Sequence, residues 1–272
     1  MASAAQTSTH EAHPVGEEPA PFRVLRPEGS ANIVITCDHA SRTVPPALAD
    51  LGLTTQELSR HIGWDIGAAD IATYLSAQLD APAILSGVSR LVIDCNRYLD
   101  DPSSIPLVSD ETPIPGNAGL SDTARQARRD AWFMPYHAAI EAVLAPRLGS
   151  GASPIIVSIH SMTDRMRGTF RPWEIALSSG PDRRLTDPVL AALRAVPGMC
   201  VGDNEPYDLA PAEDYSTTTH AIRHGLHHVQ VEFRQDRVAT RAAAEALAQV
   251  FRDALVSGLH AIGRDARGHA HG

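Results

Sequence analysis

Two apolar runs in this chain each end on a histidine. Residues 33–37 lead through Asp38 into His39 and the stretch Ala40, Ser41, Arg42, Thr43, and residues 154–159 lead into His160 and Ser161. Short runs of this kind read as buried strands, and in open α/β sheets ligands bind beyond the carboxyl ends of strands. Imidazoles delivered there are candidate metal ligands, and a catalytic zinc site uses three protein ligands plus one open position for water. His39 and His160 supply two. A glutamate three residues after His39 would be the usual third, but Arg42 stands there, so Asp65 in the segment HIGWDIG at 61–67 is the candidate. Asp65 also falls where a loop turns into a helix, so helix capping is the competing reading. His61 and Asp38 are spare donors that either replace Asp65 or orient a ligand from behind it.

Glu232 lies within the alternating apolar segment VQVEFRQD at 229–236. A charge buried in a strand is paired or used. Arg234, two residues on and on the same face, makes a structural pair one reading. A glutamate beside metal-activated water is the other, since that is the general base of metal-dependent amide hydrolysis. In SRLVIDCNR at 89–97, Asn96 and Arg97 stand together just past an apolar run. A guanidinium fork grips a carboxylate bidentately, and an adjacent amide fixes its orientation. Arg97 therefore suggests an anionic substrate. Arg171, before Pro172 and Trp173, is a second anion contact or a surface arginine.

The elements that must position these residues follow from periodicity. Strands are expected over 32–36, 83–85, 90–93, 155–159, 174–177 and 229–233, and helices over 66–79, 122–148, 184–195 and 238–262. Such alternation argues for an α/β sandwich with a largely parallel or mixed sheet. Residues 1–20 read as a disordered lead-in, 21–263 as a single catalytic domain and 264–272 as a flexible tail. The Pro- and Gly-rich stretch 100–119 reads as a loop, either a functional lid or a surface excursion.

Composition closes several routes. The net charge is −9, all 23 basic residues are Arg, and no basic run could track a phosphate backbone, which argues against nucleic acid as a partner. With no Lys in the chain, Schiff-base and P-loop chemistry are excluded. Cys37, Cys95 and Cys200 lack CxxC spacing and read as reduced core thiols. No apolar stretch approaches the roughly 18 residues of a membrane span and no signal peptide is evident, so a cytoplasmic protein is expected. Oligomeric state is not encoded in any motif.

The blocks CDHASRTVP at 37–45, HIGWDIGA at 61–68, SRLVIDCNR at 89–97, SIHSM at 158–162, RPW at 171–173 and VEFRQD at 231–236 together resemble the N-formylglutamate amidohydrolase (deformylase) family. That resemblance implies a three-layer sandwich with a mixed central sheet, similar to the zinc carboxypeptidases and acyl-amino-acid deacylases. It implies that His39 and His160 are ligands of Zn2+ or another divalent metal, Glu232 the general base, and Asn96 with Arg97 the carboxylate clamp. The implied reaction is hydrolysis of N-formyl-L-glutamate to formate and L-glutamate, the last step of one route of histidine degradation, on a small anionic N-acyl amino acid substrate. The alternatives are a deacylase or amidase of another N-acyl acidic amino acid or small peptide, and a carboxylate-binding protein of the same fold without turnover.

Overall fold

The computed structural model describes residues 18–210 and 212–270. The strands are β1 (Phe22–Leu25), β2 (Ile33–Cys37), β3 (Ala83–Ser86), β4 (Val108–Ser109), β5 (Thr112–Pro113), β6 (Ile155–Met162), β7 (Arg165–Met166), β8 (Thr169–Phe170), β9 (Ile175–Ser178), β10 (Val201–Asp203) and β11 (His228–Arg234). The α-helices are α1 (Thr55–Leu58), α2 (Ala68–Leu79), α3 (Asp122–Arg128), α4 (Met134–Gly149), α5 (Thr186–Arg194), α6 (Tyr215–His220) and α7 (Arg241–Ala261). Seven strands form one sheet in the order β1-β3-β2-β6-β11-β9-β10, while β4-β5 and β7-β8 are separate two-stranded hairpins. β3, β2, β6 and β11 run parallel, β1 is antiparallel to β3, and β9 is antiparallel to β11 with β10 parallel to it, so the sheet is mixed as expected.

Successive side chains of a strand point to opposite faces. One face carries Ile33, Ile35, Val157, Ile159, Val229, Val231 and Phe233, buried against α2, α5 and α7. The opposite face begins apolar, with Val34, Ile84 and Ile156 packed on Tyr136, Ile140 and Leu144 of α4. Toward the carboxyl ends of β6 and β11 the same face turns polar, as Ser158, His160, Gln230 and Glu232, all buried. That change of character along one face marks the site. Burying the apolar face against three helices stabilises the sheet by roughly 25 cal/mol for each Å² removed from water, so the polar end is held by a frame that does not depend on it.

Three expectations need correction. Residues 90–93 are buried but form turns, not a strand. Ser89 explains it: its Oγ donates to Gly63 O and accepts from Leu91 N, and Val92 N bonds Ser89 O, so the backbone is satisfied locally. Leu91, Val92 and Ile93 fill a separate small core with Leu51, Leu58, Ile62, Ile105 and Ile114. The stretch 122–148 is α3 and α4 joined by a π turn, Arg129–Phe133, in which Met134 N bonds Arg129 O. Pro135 follows at once, and the wider turn accommodates a ring that has no N–H and crowds the carbonyl four residues back. Cys37 and Cys95 are buried, but Cys200 is exposed.

The 100–119 stretch is ordered by the β4-β5 hairpin and by Asn117, whose Nδ2 donates to Leu91 O and Pro106 O. Residues 264–270, read from composition as a flexible tail, fold back on the start of β2: Arg267 O accepts from Asn32 N at 2.8 Å, and the His269 ring meets Ser30 O at 3.0 Å. An N–H at a buried strand start needs an acceptor, and composition cannot show which segment supplies it. Residues 1–17 of the expected lead-in lie outside the described residues. Among the described residues no helix is long and apolar enough to cross a membrane.

Between α4 and α6 a buried imidazole pair ties the polar face together, with His137 Nδ1 and His220 Nε2 at 2.9 Å and His137 Nε2 at 2.9 Å from Cys95 O. Burial brings His137 down to about 4, and burial together with His137 brings His220 down to about 3. Because the unfolded chain takes these protons near 6.5, their contribution is whole above that pH and is lost as pH falls toward 4. Chemical denaturation of wild type should lose on the order of 2 kcal/mol per histidine between pH 6.5 and 5. His220→Gln keeps a donor to His137 and should flatten that loss by about one histidine's share; an unchanged slope would contradict the neutral-pair assignment.

Candidate active site

His39 stands two residues past β2, His160 lies within β6, and Glu232 lies within β11 directly beside His160 in the parallel register. Asp65 is brought to them by its own backbone, since Asp65 N bonds His39 O at 3.0 Å. Gly67 completes that turn at φ +82, where a Cβ would lie 2.5 Å from Val238 O, so glycine is required. Asp65 does not cap α2 with its side chain. The N-cap is Gly67, without a side-chain bond.

The Asp65 carboxylate faces the two rings instead. Its Oδ2 lies 3.1 Å from His160 Nδ1, 3.4 Å from His39 Nδ1 and 3.1 Å from Ser161 N. Donor atoms 2.0–2.2 Å from a common tetrahedral centre lie about 3.3 Å apart. The three residues are buried, and their donor atoms all fall within 4.8 Å of one another, so this group can hold a metal ion. The outer nitrogens are fixed from behind, His39 Nε2 by Asp94 Oδ1 at 2.7 Å, and His160 Nε2 by Ser158 Oγ at 3.1 Å and Asp38 Oδ2 at 3.4 Å. Leaving Nδ1 of each ring to face inward is the arrangement in which a backing carboxylate sets tautomer and orientation. The chemistry of the donor set therefore fits a divalent ion.

Charge follows the same geometry. Burial raises Asp65, but both histidines outweigh it and hold the carboxyl far below its usual range. Burial lowers His160, yet hydrogen bonds to Asp38 and Asp65 leave it well above an ordinary imidazole. Asp94 is held well below its usual range by Arg90, against burial. Glu232 differs: burial dominates and pushes it up to about 7, although His160 draws it down. Its Oε2 has no hydrogen-bond partner.

These groups line a cleft of about 640 Å³, within the range of small-molecule sites. Arg97 and Arg171 also line it. Arg171 is buried, with Nη2 on Tyr207 Oη at 2.9 Å and Nη1 without a partner. Arg97 is more committed, bonding Asn96 O at 3.0 Å and standing 4.0 Å from Asp214. The Asn96 amide is used on both ends, donating to Asp214 Oδ1 and accepting from Ser216 N, which ties it to α6. Arg234 does not pair with Glu232; it binds Asp236 and the carbonyls of Arg171 and Pro172, so it holds the Arg171 segment. His61 stands 3.1 Å from Asp110 and Asp38 sits behind His160, so neither replaces Asp65.

The family model for N-formylglutamate amidohydrolase matches residues 31–239. The chain belongs to this family. All of the residues that line the cleft fall inside that span. A gene product of Agrobacterium tumefaciens with a crystal structure is 33% identical, with a TM-score of 0.85 over 89% of this chain and 95% of that one. The crystal structure named as N-formylglutamate amidohydrolase from Ralstonia eutropha is 24% identical, with a TM-score of 0.62 over 89% of this chain and 97% of that one. At that identity the second likeness shows the fold alone. No curated protein matches the sequence.

Within this member of the family, Arg90 and Asp94 were not singled out from sequence. Arg90 pairs with Asp94 Oδ2 at 2.7 Å and stands 3.6 Å from Asp65 Oδ1, so one guanidinium braces a carboxylate beside each ring. The signal was present, because two charges four residues apart inside an apolar run must be paired or used, the same logic that singles out Glu232.

Purified protein should bind about one divalent ion per chain, and His160→Ala should abolish binding while thermal unfolding stays cooperative. Asp94→Asn should weaken affinity about 10- to 100-fold by loosening the His39 ring. Since His39 and His160 are both raised, metal must displace protons, and affinity should fall as pH drops below neutrality. Calorimetry in buffers of different ionisation enthalpy reads that proton release directly. A pH-independent affinity with no protons released would contradict this charge arrangement.

Proposed function

We propose that the protein is a metal-dependent amidohydrolase that converts N-formyl-L-glutamate and water to formate and L-glutamate. The observation that carries this reading is Glu232, a buried carboxyl near pKa 7 with an unpartnered oxygen, set beside His160 in a cleft that also holds Arg171, whose Nη1 has no hydrogen-bond partner. A base poised near the working pH has the best combination of protonation state and driving force for proton transfer. The family supports the reading at the level of reaction class, and the two solved structures support it at the level of fold.

In this proposal His39, Asp65 and His160 hold Zn2+ or another divalent ion, which supplies Lewis-acid polarisation of the formyl carbonyl and lowers the pKa of water at the site. Glu232 takes a proton from the attacking water and returns it to the nitrogen as the C–N bond breaks, so that glutamate leaves as an amine. Arg171 receives a substrate carboxylate through its free Nη1, and Arg97 borders the same space. Holding the amino acid by its carboxylate aligns the amide with Glu232, and such positioning contributes to rate independently of acid-base chemistry. The reaction is the one that ends a route of histidine degradation, which is the metabolic setting proposed.

Glu232→Gln should retain metal and fold and lose on the order of 10² to 10⁴ in kcat. A variant that keeps turnover per metal-loaded molecule would remove Glu232 from the reaction. Arg171→Met should lower kcat/KM for N-formylglutamate by at least about tenfold, the cost of a charge-assisted contact. The same variant should lose far less on an analogue whose bound carboxylate is amidated, and equal losses on both would mean that Arg171 holds the fold.

A further inference from the structure

Four arginines line the cleft against eight carboxylates, so an anionic substrate needs a guanidinium with donors to spare. Arg90 is held by Asp94 and Asp65, and Arg97 is turned to the carbonyl of Asn96 beside Asp214. Arg171 keeps Nη1 free. The fourth, Arg167, is exposed and has no side-chain hydrogen bond or ion pair among the described residues. It stands at the tip of the β7-β8 hairpin, and Arg171 stands at the foot of the same hairpin.

The hairpin has two unlike faces. Arg165 pairs with Phe170 and Met166 with Thr169. The guanidinium groups of Arg165 and Arg234 stand 5.3 and 5.2 Å from the Phe170 ring centre, so that face packs on itself and on the end of β11. Side chains alternate along a strand, which puts Met166 and Arg171 on the other face, and both line the cleft. Arg171 N on Asp164 O at 2.8 Å fixes the foot, and the Arg171 guanidinium lies 4.9 Å from the Tyr207 ring centre. The tip is a two-residue turn with Arg167 at φ +48 and Gly168 at φ +82. Such turns favour Asn-Gly, because the left-handed region costs free energy for other residues. Strain of this kind at the edge of a cleft points to a side chain kept for what it binds. The β4-β5 hairpin, which also lines the cleft, puts Asp110 at φ +40 in its turn, but Asp110 is held by Arg60 at 3.2 Å and His61 at 3.1 Å. No comparable partner holds Arg167 among the described residues.

Resting on the amidohydrolase reading, we infer that Arg167 is the specificity-determining residue of this cleft: it receives the carboxylate at the end of the substrate's side chain, while Arg171 receives the α-carboxylate. The assignment of the two follows from position. Arg171 is joined to β11, the strand of Glu232, through Arg234, whose Nη1 donates to Arg171 O at 3.2 Å. The α-carboxyl carbon is two bonds from the nitrogen of the scissile amide, and the side-chain carboxyl carbon of glutamate is four, so the nearer group goes to the foot of the hairpin and the farther to its tip. Arg167 and Arg171 start roughly 10 Å apart at ~3.3 Å per strand residue. The two carboxyl carbons of glutamate are at most ~6 Å apart at ~1.5 Å per bond. Two guanidinium groups lining one cleft therefore both reach one such substrate.

The test compares N-formyl-L-glutamate with N-formyl-L-glutamine, which differs only in the charge at the end of the side chain, as kcat/KM on the metal-loaded enzyme. Arg167→Asn removes the guanidinium and places a favoured residue in the turn, so its Tm should equal or exceed that of wild type. Arg165→Gln removes the same charge from the opposite face of the hairpin. Calorimetric affinities of both compounds are measured for Glu232→Gln with and without Arg167→Asn. The expected result is a wild-type preference for glutamate of about tenfold or more, the scale of a charge-assisted contact. Arg167→Asn should abolish that preference by a loss on glutamate, Arg167→Lys should restore part of it, and Arg165→Gln should leave it as in wild type. A wild type that treats both compounds alike would overturn the inference, as would an Arg167→Asn loss equal on both. An equal fall in preference for Arg165→Gln would assign the effect to long-range charge and also overturn it. If neither compound is hydrolysed, the amidohydrolase reading fails separately, and the affinities alone decide the role of Arg167.

Discussion

Four charged or ionisable side chains, His39, Asp65, Asp94 and His160, are buried together at the carboxyl ends of β2 and β6, and each is tolerable there only because the others are present. Asp65 answers both imidazoles, Asp94 answers the far nitrogen of one, and Asp38 with Ser158 answers the far nitrogen of the other. A buried charge without such partners costs several kcal/mol, so the cluster constrains every segment that contributes to it. The Asp65 turn must pass close to His39, the 89–97 segment must bring Arg90 and Asp94 forward, and α4 and α6 must cover Asp38. Tyr136 Oη and Ser216 Oγ both donate to Asp38 Oδ1 at 2.7 Å, one from each of those helices.

This explains why the two faces of the sheet differ. The face against α2, α5 and α7 is apolar throughout and supplies most of the hydrophobic stabilisation. The other face gives up apolar burial near its strand ends to carry buried polar groups that line the cleft, most of them hydrogen-bonded. Glu232 Oε2 is left without a hydrogen-bond partner, as are Thr36 Oγ1 and His228 Nε2 on the same face. The unpartnered Glu232 oxygen in a buried position is a local cost that a purely structural residue would have relieved through Arg234, which instead turns to Asp236 and the carbonyls of residues 171 and 172. Functional sites are where such local costs collect.

The loops outside the sheet have their own apolar core, built from Leu51, Leu58, Ile62, Leu91, Val92, Ile105 and Ile114. It makes the mouth of the cleft a packed structure. Arg128, buried in α3, donates to Val92 O and Asn117 Oδ1 and so connects the 89–97 segment to the stretch after the β4-β5 hairpin. Asn96 makes a similar connection to α6. The residue expected to orient a substrate carboxylate thus orients a helix, and among the arginines that line the cleft Arg171 has the free buried nitrogen.

The sequence by itself determined the alternation of strands and helices, the mixed α/β architecture, and the two strands that bring His39 and His160 to one edge of the sheet, because period-two and period-3.6 burial patterns are local properties of the chain. It also singled out Asp65 and Glu232, since charge inside or beside an apolar run is conspicuous in one dimension. The turn at 90–93 was hidden because an apolar run shows that residues are buried and not which backbone bonds they make; one Ser89 hydroxyl diverted that segment from the sheet. Only the tertiary structure decided that Asp65 faces two histidines rather than a helix end, that Arg90 and Asp94 brace the cluster, and that Arg234 leaves Glu232 alone. Those outcomes are choices among partners distant in sequence, set by which groups can be brought within about 3 Å of one another in a close-packed interior.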